Sequence, residues 1–467
     1  MFDIARKTIV AGLMDAKFLF LSALILVIFT ANGYFYSERY QDQLEDYRAT
    51  ITETMRLMEP ACGNLQDLAV FNQPVKRPPS SMSFVADGGD RFLPNVVQLN
   101  AFRRWETNRQ HSDNERSPVL PALDWTFIIG SLMTLLTVLV SYSSIAGEKQ
   151  SGTLRMILSN PISRLKLLLG KYLGLMSILL MSLFVGMLAS LVTIYLMDGP
   201  PLNQETLWII GWAILLSVLT ISFFLLAGMA VSSVSRNPAV ALVVILVIWI
   251  IAVVAVPGIG RLLAEQLINV PSDAQIRLEI ETTVEEMYKN VPPAATGWTG
   301  DPFDPMGQVI KEFRTDIDTT VQRIEDRYLD TQVSQALAAQ RIALVSPSGL
   351  LTDSLQYVCG TGVYGLQKFI DTAERYRRQL LLFIEEQDAL DNDSPHLVFG
   401  FRSSIYSGAF SDNDVSIDSV PKSEALWSSA GFSGKQDLPT LQIVILLALN
   451  LNVGLLSFIA LTRTDPR

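Results

Sequence analysis

Apolar residues gather in six runs, separated by polar stretches or by stretches marked with proline and glycine. The runs cover residues 18–37, 124–146, 167–197, 206–233, 238–257 and 440–462. Each matches the roughly 20 residues that a helix needs to cross about 30 Å of hydrocarbon. The third and fourth are longer, which predicts tilt or extension beyond the bilayer. Within lipid, a lone segment can satisfy its own backbone only as a helix, so the runs predict six transmembrane helices. The first exceeds a signal-peptide core and is followed by no small-x-small cleavage site; it reads as an uncleaved span.

The polar stretches carry patterns of their own. In residues 1–17 and just beyond, Phe2, Ile9, Leu13 and Phe20 recur near helical spacing beside Arg6 and Lys7, as in a helix lying in the membrane interface. After the first run, Tyr40, Leu44, Tyr47, Ile51, Met55 and Met58 keep steps of three or four, so the helix is expected to continue into water until Pro60. Residues 74–95, with four prolines and a Gly-Gly pair, read as loop. Further helices are expected near 259–290, 308–345 and 363–389, with stops at Pro292-Pro293 and at Ser346-Pro347-Ser348-Gly349. From 397 the texture turns aromatic and β-branched, which reads as strand or irregular chain. Segments 38–123 and 258–439 are together large enough for one folded unit. The fold class is therefore an all-α integral membrane protein: six transmembrane helices with a mostly helical (α+β) extracytoplasmic domain.

Basic residues orient the spans. Arg6, Lys7, Lys17, Lys149, Arg155, Arg164, Lys166, Lys171, Arg236, Arg463 and Arg467 all flank one side, against only Asp3, Asp15, Glu148 and Asp465. The short loop 198–205 on the other side has no base. Basic connectors stay cytoplasmic, so both termini and segment 147–166 are expected inside, and 38–123 and 258–439 outside. The outer segments carry most of the acid behind the net charge of −10. An acidic outer face argues against a nucleic-acid partner.

Candidate chemistry is sparse. No carboxylate, lysine or arginine lies in the middle of a span, which removes the ion relay of a secondary pump. No internal repeat is visible, so inverted transporter halves are not supported. Asn450 and Asn452 in the last run are expected to hydrogen-bond across helices, and Gly170 and Gly174 to permit close helix approach, as Gly12, Gly186 and Gly228 also could. Gly360, Gly362 and Gly365 spell a dinucleotide fingerprint but follow no clear strand, so they read as a turn into the next helix. The acids of 412–418 and 385–393 lack the glycine and distal glutamate of a calcium loop and read as solvated. There is no phosphate loop of the Gly-x-x-x-x-Gly-Lys-Ser/Thr type.

The two cysteines, Cys62 and Cys359, and the two histidines, His111 and His396, all fall in the outer segments. If that compartment is oxidising, a Cys62–Cys359 bridge would tie the two segments together. The alternative is two unrelated small buried residues. No metal site is assigned.

The most informative stretch is 141–174, SYSSIAGEKQSGTLRMILSNPISRLKLLLGKYLG. Glu148 and Lys149 leave the second run, and Gly152, Thr153 and Leu154 follow. Met156, Ile157 and Leu158 form an apolar patch, and Ser159-Asn160-Pro161 stops the helix. A connector with its own apolar patch invites a docking partner. Glu-x-x-x-Gly-Thr-Leu, then Leu-Ser-x-Pro-x-Ser-Arg, then Gly-Lys resembles the first cytoplasmic connection of ABC-2 type transporter permeases. Segment 346–380 also resembles a subgroup with large outer insertions. The first resemblance implies that 147–166 is a coupling helix resting on an ATPase subunit. Leu154, Met156, Ile157 and Leu158 would then fill a groove, with Glu148 and Arg164 at its rim.

The resemblance further implies a non-catalytic permease subunit in a bacterial inner membrane. It would pair with a second six-span subunit, a copy or a paralogue, and with two copies of an ATPase subunit that binds ATP and magnesium. ATP-driven closure would then drive substrate translocation or transmit force to the outer domain. The five residues after the last run leave no room for a nucleotidase, so the ATPase is expected as a separate polypeptide. The rival reading is a membrane-anchored receptor or scaffold whose acidic outer domain binds a partner without transport.

Overall fold

The computed structural model describes residues 2–90, 93–108, 123–159, 163–291, 305–392, 396–398, 415–424 and 439–463. Among them, six helices are long and apolar enough to cross a membrane. Helix α1 (Phe2–Leu13) precedes the first span, α2 (Ala16–Met58), which runs unbroken for 43 residues. At 1.5 Å per residue that is about 64 Å, so its second half stands clear of the bilayer. The expected continuation thus exists, and Pro60 lies in the 3₁₀ turn Glu59–Gly63 that ends it. A short helix α3 (Leu65–Ala69) follows.

Span 2 is composite. It begins with α4 (Trp125–Phe127), passes through a π segment, Ile128–Met133, and continues as α5 (Thr134–Ser141). Short helices α6 (Ala146–Gln150) and α7 (Thr153–Ser159) lead to span 3, α8 (Arg164–Leu196). Span 4 is α9 (Gln204–Val234). Span 5 also contains a π segment, Ile251–Ala255, between α10 (Pro238–Ile250) and α11 (Val256–Leu267). The helix expected near 259–290 is therefore two. Its second part, α12 (Asp273–Lys289), restarts at a capping box in which Ser272 and Gln275 satisfy each other's backbone. Helix α13 (Pro305–Ala343) leads to α14 (Pro347–Cys359) and α15 (Gly362–Leu390), and span 6 is α16 (Thr440–Arg463).

Polar and glycine contacts fix the packing of the spans. Ser190 of α8 donates to Asn32 Oδ1 of α2 at 2.8 Å, and Trp125 Nε1 donates to Ser190 Oγ at 3.2 Å. Gly186 lies against Phe29 of α2, and Gly228 of α9 against Ser141 of α5. Gly174 is a point of close approach to α1: a Cβ there would lie 2.7 Å from Thr8 Cβ and 2.8 Å from Ala5 O. Gly170 is buried on the same helix. The glycine pair therefore includes a seat for the N-terminal helix. Asn450 bridges helices as expected, donating to Leu219 O at 3.0 Å, whereas Asn452 donates within its own helix to Ala448 O at 2.7 Å.

The stretch read as loop contains a strand. β1 (Gln73–Lys76), β2 (Val96–Leu99) and β3 (Arg104–Asn108) form an antiparallel sheet in that order. Pro74 is tolerated because β1 is an edge strand. Val75, Val97 and Leu99 pack against Val363, Leu366, Phe369 and Tyr376 of α15. The expected turn at the glycine triplet is present. Gly360 and Gly362 both have φ of 63°, and a Cβ on Gly365 would lie 2.5 Å from Gly360 O. The aromatic and β-branched stretch 397–410 lies mostly outside the described residues, as do His111 and the acids of 412–414.

Of the two readings of the cysteines, the structure has the second: no disulfide joins Cys62 to Cys359. Both are buried, but Cys62 packs with Met58, Leu65 and Leu380, whereas Cys359 belongs to the bundle core with Leu350, Leu351 and Leu355. Two separate apolar clusters account for them as small core residues. Among the described residues, no three His, Cys, Asp or Glu converge on a metal position.

Candidate functional site

The connector between spans 2 and 3 is where the bundle presents organised polar structure at the end away from the sheet. Its break falls at Gly152, where φ of 73° suits glycine and nothing lies within 4 Å of a would-be Cβ. Ser151 and Thr153 hydroxyls meet at 2.9 Å across that break. Ser163 restarts the chain as the N-cap of α8, its side chain accepting from Lys166 N. Pro161 lies outside the described residues.

Charged side chains bind the connector to the bundle rather than fringing it. Glu148 Oε2 lies 2.5 Å from Lys171 Nζ, whose side chain is 6% exposed. Lys171 also donates to Ser144 O. Lys149 donates to Ser233 O and, at 3.3 Å, to Ser235 O, both at the end of span 4. Ser232 Oγ accepts from Ile145 N at 3.0 Å and from Ala146 N at 2.9 Å, and donates to Tyr142 O at 2.7 Å. Arg164 donates to Leu461 O at 3.0 Å and to Thr462 O, closing the last carbonyls of span 6. The connector is thereby fastened to spans 3, 4 and 6.

The apolar patch divides. Leu154 is 3% exposed and belongs to the core of the bundle, with Ile157 packed against it. Met156 is 73% exposed, and Arg155 is also exposed. Leu158 lies in α7. Thus Glu148, Leu154 and Arg164 pack or pair against the bundle, and Arg155 and Met156 are among the exposed residues of α7. Sequence reasoning missed Lys171, Ser232 and Lys149 as anchors. The available signal was Lys171 itself: an ammonium two turns into an apolar helix needs a nearby carboxylate, and Glu148 is the one acid in the connector.

Residues 2–296 match the ABC-2 family transporter protein family, and residues 310–397 match a domain of unknown function, DUF3526. A probable ABC transporter permease protein NosY of Stutzerimonas stutzeri is 36% identical over 81 residues, 17% of this chain and 29% of that protein. The protein of the same name in Pseudomonas aeruginosa is 44% identical over 55 residues, 12% and 20% of the two chains. The chain thus spans less than a third of the length of these curated relatives.

Proposed function

The chain belongs to the ABC-2 transporter family, and from that we propose that a separate ATPase docks on the 147–166 connector and drives it. A transporter permease subunit is what family and relatives support, and it sets aside the receptor reading. One observation carries the finer claim. The connector is locked by Glu148–Lys171, Lys149–Ser233 and Arg164–Leu461 to three different spans, while Met156 and Arg155 face outward. A surface fixed to three spans can pass a push to all of them.

In this reading Met156 enters an apolar groove on the ATPase, and Arg155 supplies a charged contact at its edge. Leu154 and Ile157 hold α7 to the bundle so that the push is not absorbed locally. ATP and magnesium bind to the partner, present in two copies beside a second six-span subunit. The connector faces the cytoplasm of a bacterial inner membrane, and the sheet and helices α12, α13 and α15 form the extracytoplasmic domain. The test is purification of the chain from its native host. The expected result is a soluble ATPase held in stoichiometric amount, whose hydrolysis responds to the permease. Purification with no ATPase overturns the proposal.

A further inference from the structure

Two of the six spans contain π segments, Ile128–Met133 in span 2 and Ile251–Ala255 in span 5. A π turn shifts the backbone register by one residue and leaves carbonyls that the helix does not fully use; such turns gather at functional sites. In hydrocarbon those carbonyls need other donors. In span 2, Thr134 Oγ1 donates to Gly130 O at 2.7 Å and accepts from Trp249 Nε1 of span 5 at 2.9 Å. In span 5, Ala252 O accepts from Ser348 Oγ at 3.1 Å and from Ser346 Oγ. Both serines belong to the start of α14, where Ser346 is also the N-cap.

Helix α14 is not one of the spans, yet Leu350, Leu351 and Leu355 are fully buried among them. Leu351 Cδ2 lies 3.6 Å from the position a Cβ would take on Gly130, so α14 touches the π segment of span 2 as well. The chain enters along span 5, where Gly260 meets Ala339 O of α13, and turns back at Ser346. At the other end of α14, Gly362 N donates to Asp90 Oδ1 at 2.9 Å, and Asp90 pairs with Arg77 at 3.0 Å. Asp353 accepts from Tyr364 at 2.8 Å and from Gln442 of span 6 at 2.9 Å. One short helix therefore meets both π segments at its tip and the sheet-bearing domain at its tail.

We propose that the Ser346–Ser348 tip of α14 is a latch on span 5, and that the working motion of the bundle opens it. When the two hydroxyls leave Ala252 O, the π turn can move along the span. Each residue that the π turn passes is turned by about 100° and moved about 1.5 Å, from the register of one flanking helix to that of the other. A π turn that moves into α11 displaces residues of the helix on which α13 packs, where Gly260 meets Ala339 O, and so reaches the domain. The inference rests on the permease reading, because it requires that an ATPase drive the bundle.

The test uses the full chain with its ATPase subunits in lipid nanodiscs, with Cys62→Ser and Cys359→Ala as background. Ala252→Cys and Ser348→Cys are introduced together, oxidised, and the bond is checked by mass. Closing it is expected to lower ATP hydrolysis by at least about fivefold, the lower end of a typical coupling between sites, with recovery in reductant. The double variant Ser346→Ala/Ser348→Ala removes the latch without adding bulk and is expected to raise hydrolysis. Hydrolysis unaltered by a verified cross-link overturns the latch, as does hydrolysis unaltered in the double serine variant. Met156→Asp separates the two readings. If it lowers hydrolysis while the cross-link does not, the latch alone fails; if neither has an effect, the coupling reading fails too.

Discussion

Lys171 Nζ, on the second turn of span 3, lies 2.5 Å from Glu148 Oε2 at the end of span 2, with the lysine buried and the glutamate partly exposed. An ion pair there joins the two ends of the connector across the bundle surface. Removing one partner of a buried pair leaves an uncompensated charge, which costs about 3–5 kcal/mol. Glu148→Gln is therefore expected to destabilise the chain by about 3 kcal/mol, the lower end because Glu148 is partly solvated. Lys171→Met, which removes the buried charge, should cost less, and the double variant should recover most of the loss. Thermal unfolding read with a thiol-reactive dye suits this chain, because Cys62 and Cys359 are buried until it unfolds. Additive losses in the two single variants would show that the pair is not coupled.

The two faces of α7 should behave differently. Leu154→Ala empties a core position, so a loss of about 2–5 kcal/mol is expected. Met156→Ala should leave the unfolding temperature unchanged, because Met156 is 73% exposed. Equal losses at both positions would contradict the placement of the helix.

The joint between α14 and the sheet is expected to respond to pH. Burial pushes the Asp90 carboxyl above its ordinary value; Arg77 opposes this, and neighbouring Asp87, itself paired with Arg39 at 3.5 Å, reinforces it. An acid whose folded value is raised keeps its proton where the unfolded chain has lost it. Stability is then greatest at low pH and declines as pH rises from the ordinary carboxylate range through the folded value. Wild type should lose stability relative to Asp90→Asn over that window. Parallel pH profiles would show that Asp90 does not titrate in this way.

Sidedness follows from the basic connector. With Cys62 and Cys359 replaced, a cysteine at the exposed Thr282 should react with a membrane-impermeant reagent on intact cells, and one at Ser151 only after lysis. The reverse pattern would place the connector outside and end the docking proposal.

The spans were legible because lipid leaves a helix few alternatives and demands length and apolarity, both written linearly in the chain. Helix α14 was not. Pro347–Cys359 is too short to cross a bilayer, and its Ser, Thr and Asp residues look solvated, although Asp353 and Ser354 are buried. The sheet was obscured by Pro74 and by strands of four or five residues. In the connector, the residue types were readable but their direction was not. Whether Leu154 or Met156 turns inward depends on how α7 is set against the bundle, and that depends on Lys171 and Ser232, distant in sequence. The cysteines share a segment type, but packing assigns them to different clusters.

In the proposed function an ATPase docks on the outward face of α7. The most direct measurement is the amount of ATPase retained on the purified full chain, with its hydrolysis rate, for Met156→Asp and Arg155→Glu against wild type. A carboxylate forced into an apolar groove without a partner costs several kcal/mol, enough to release a modest interface. Both variants are expected to insert and unfold like wild type yet retain little ATPase. Wild-type retention and wild-type hydrolysis in Met156→Asp would contradict it.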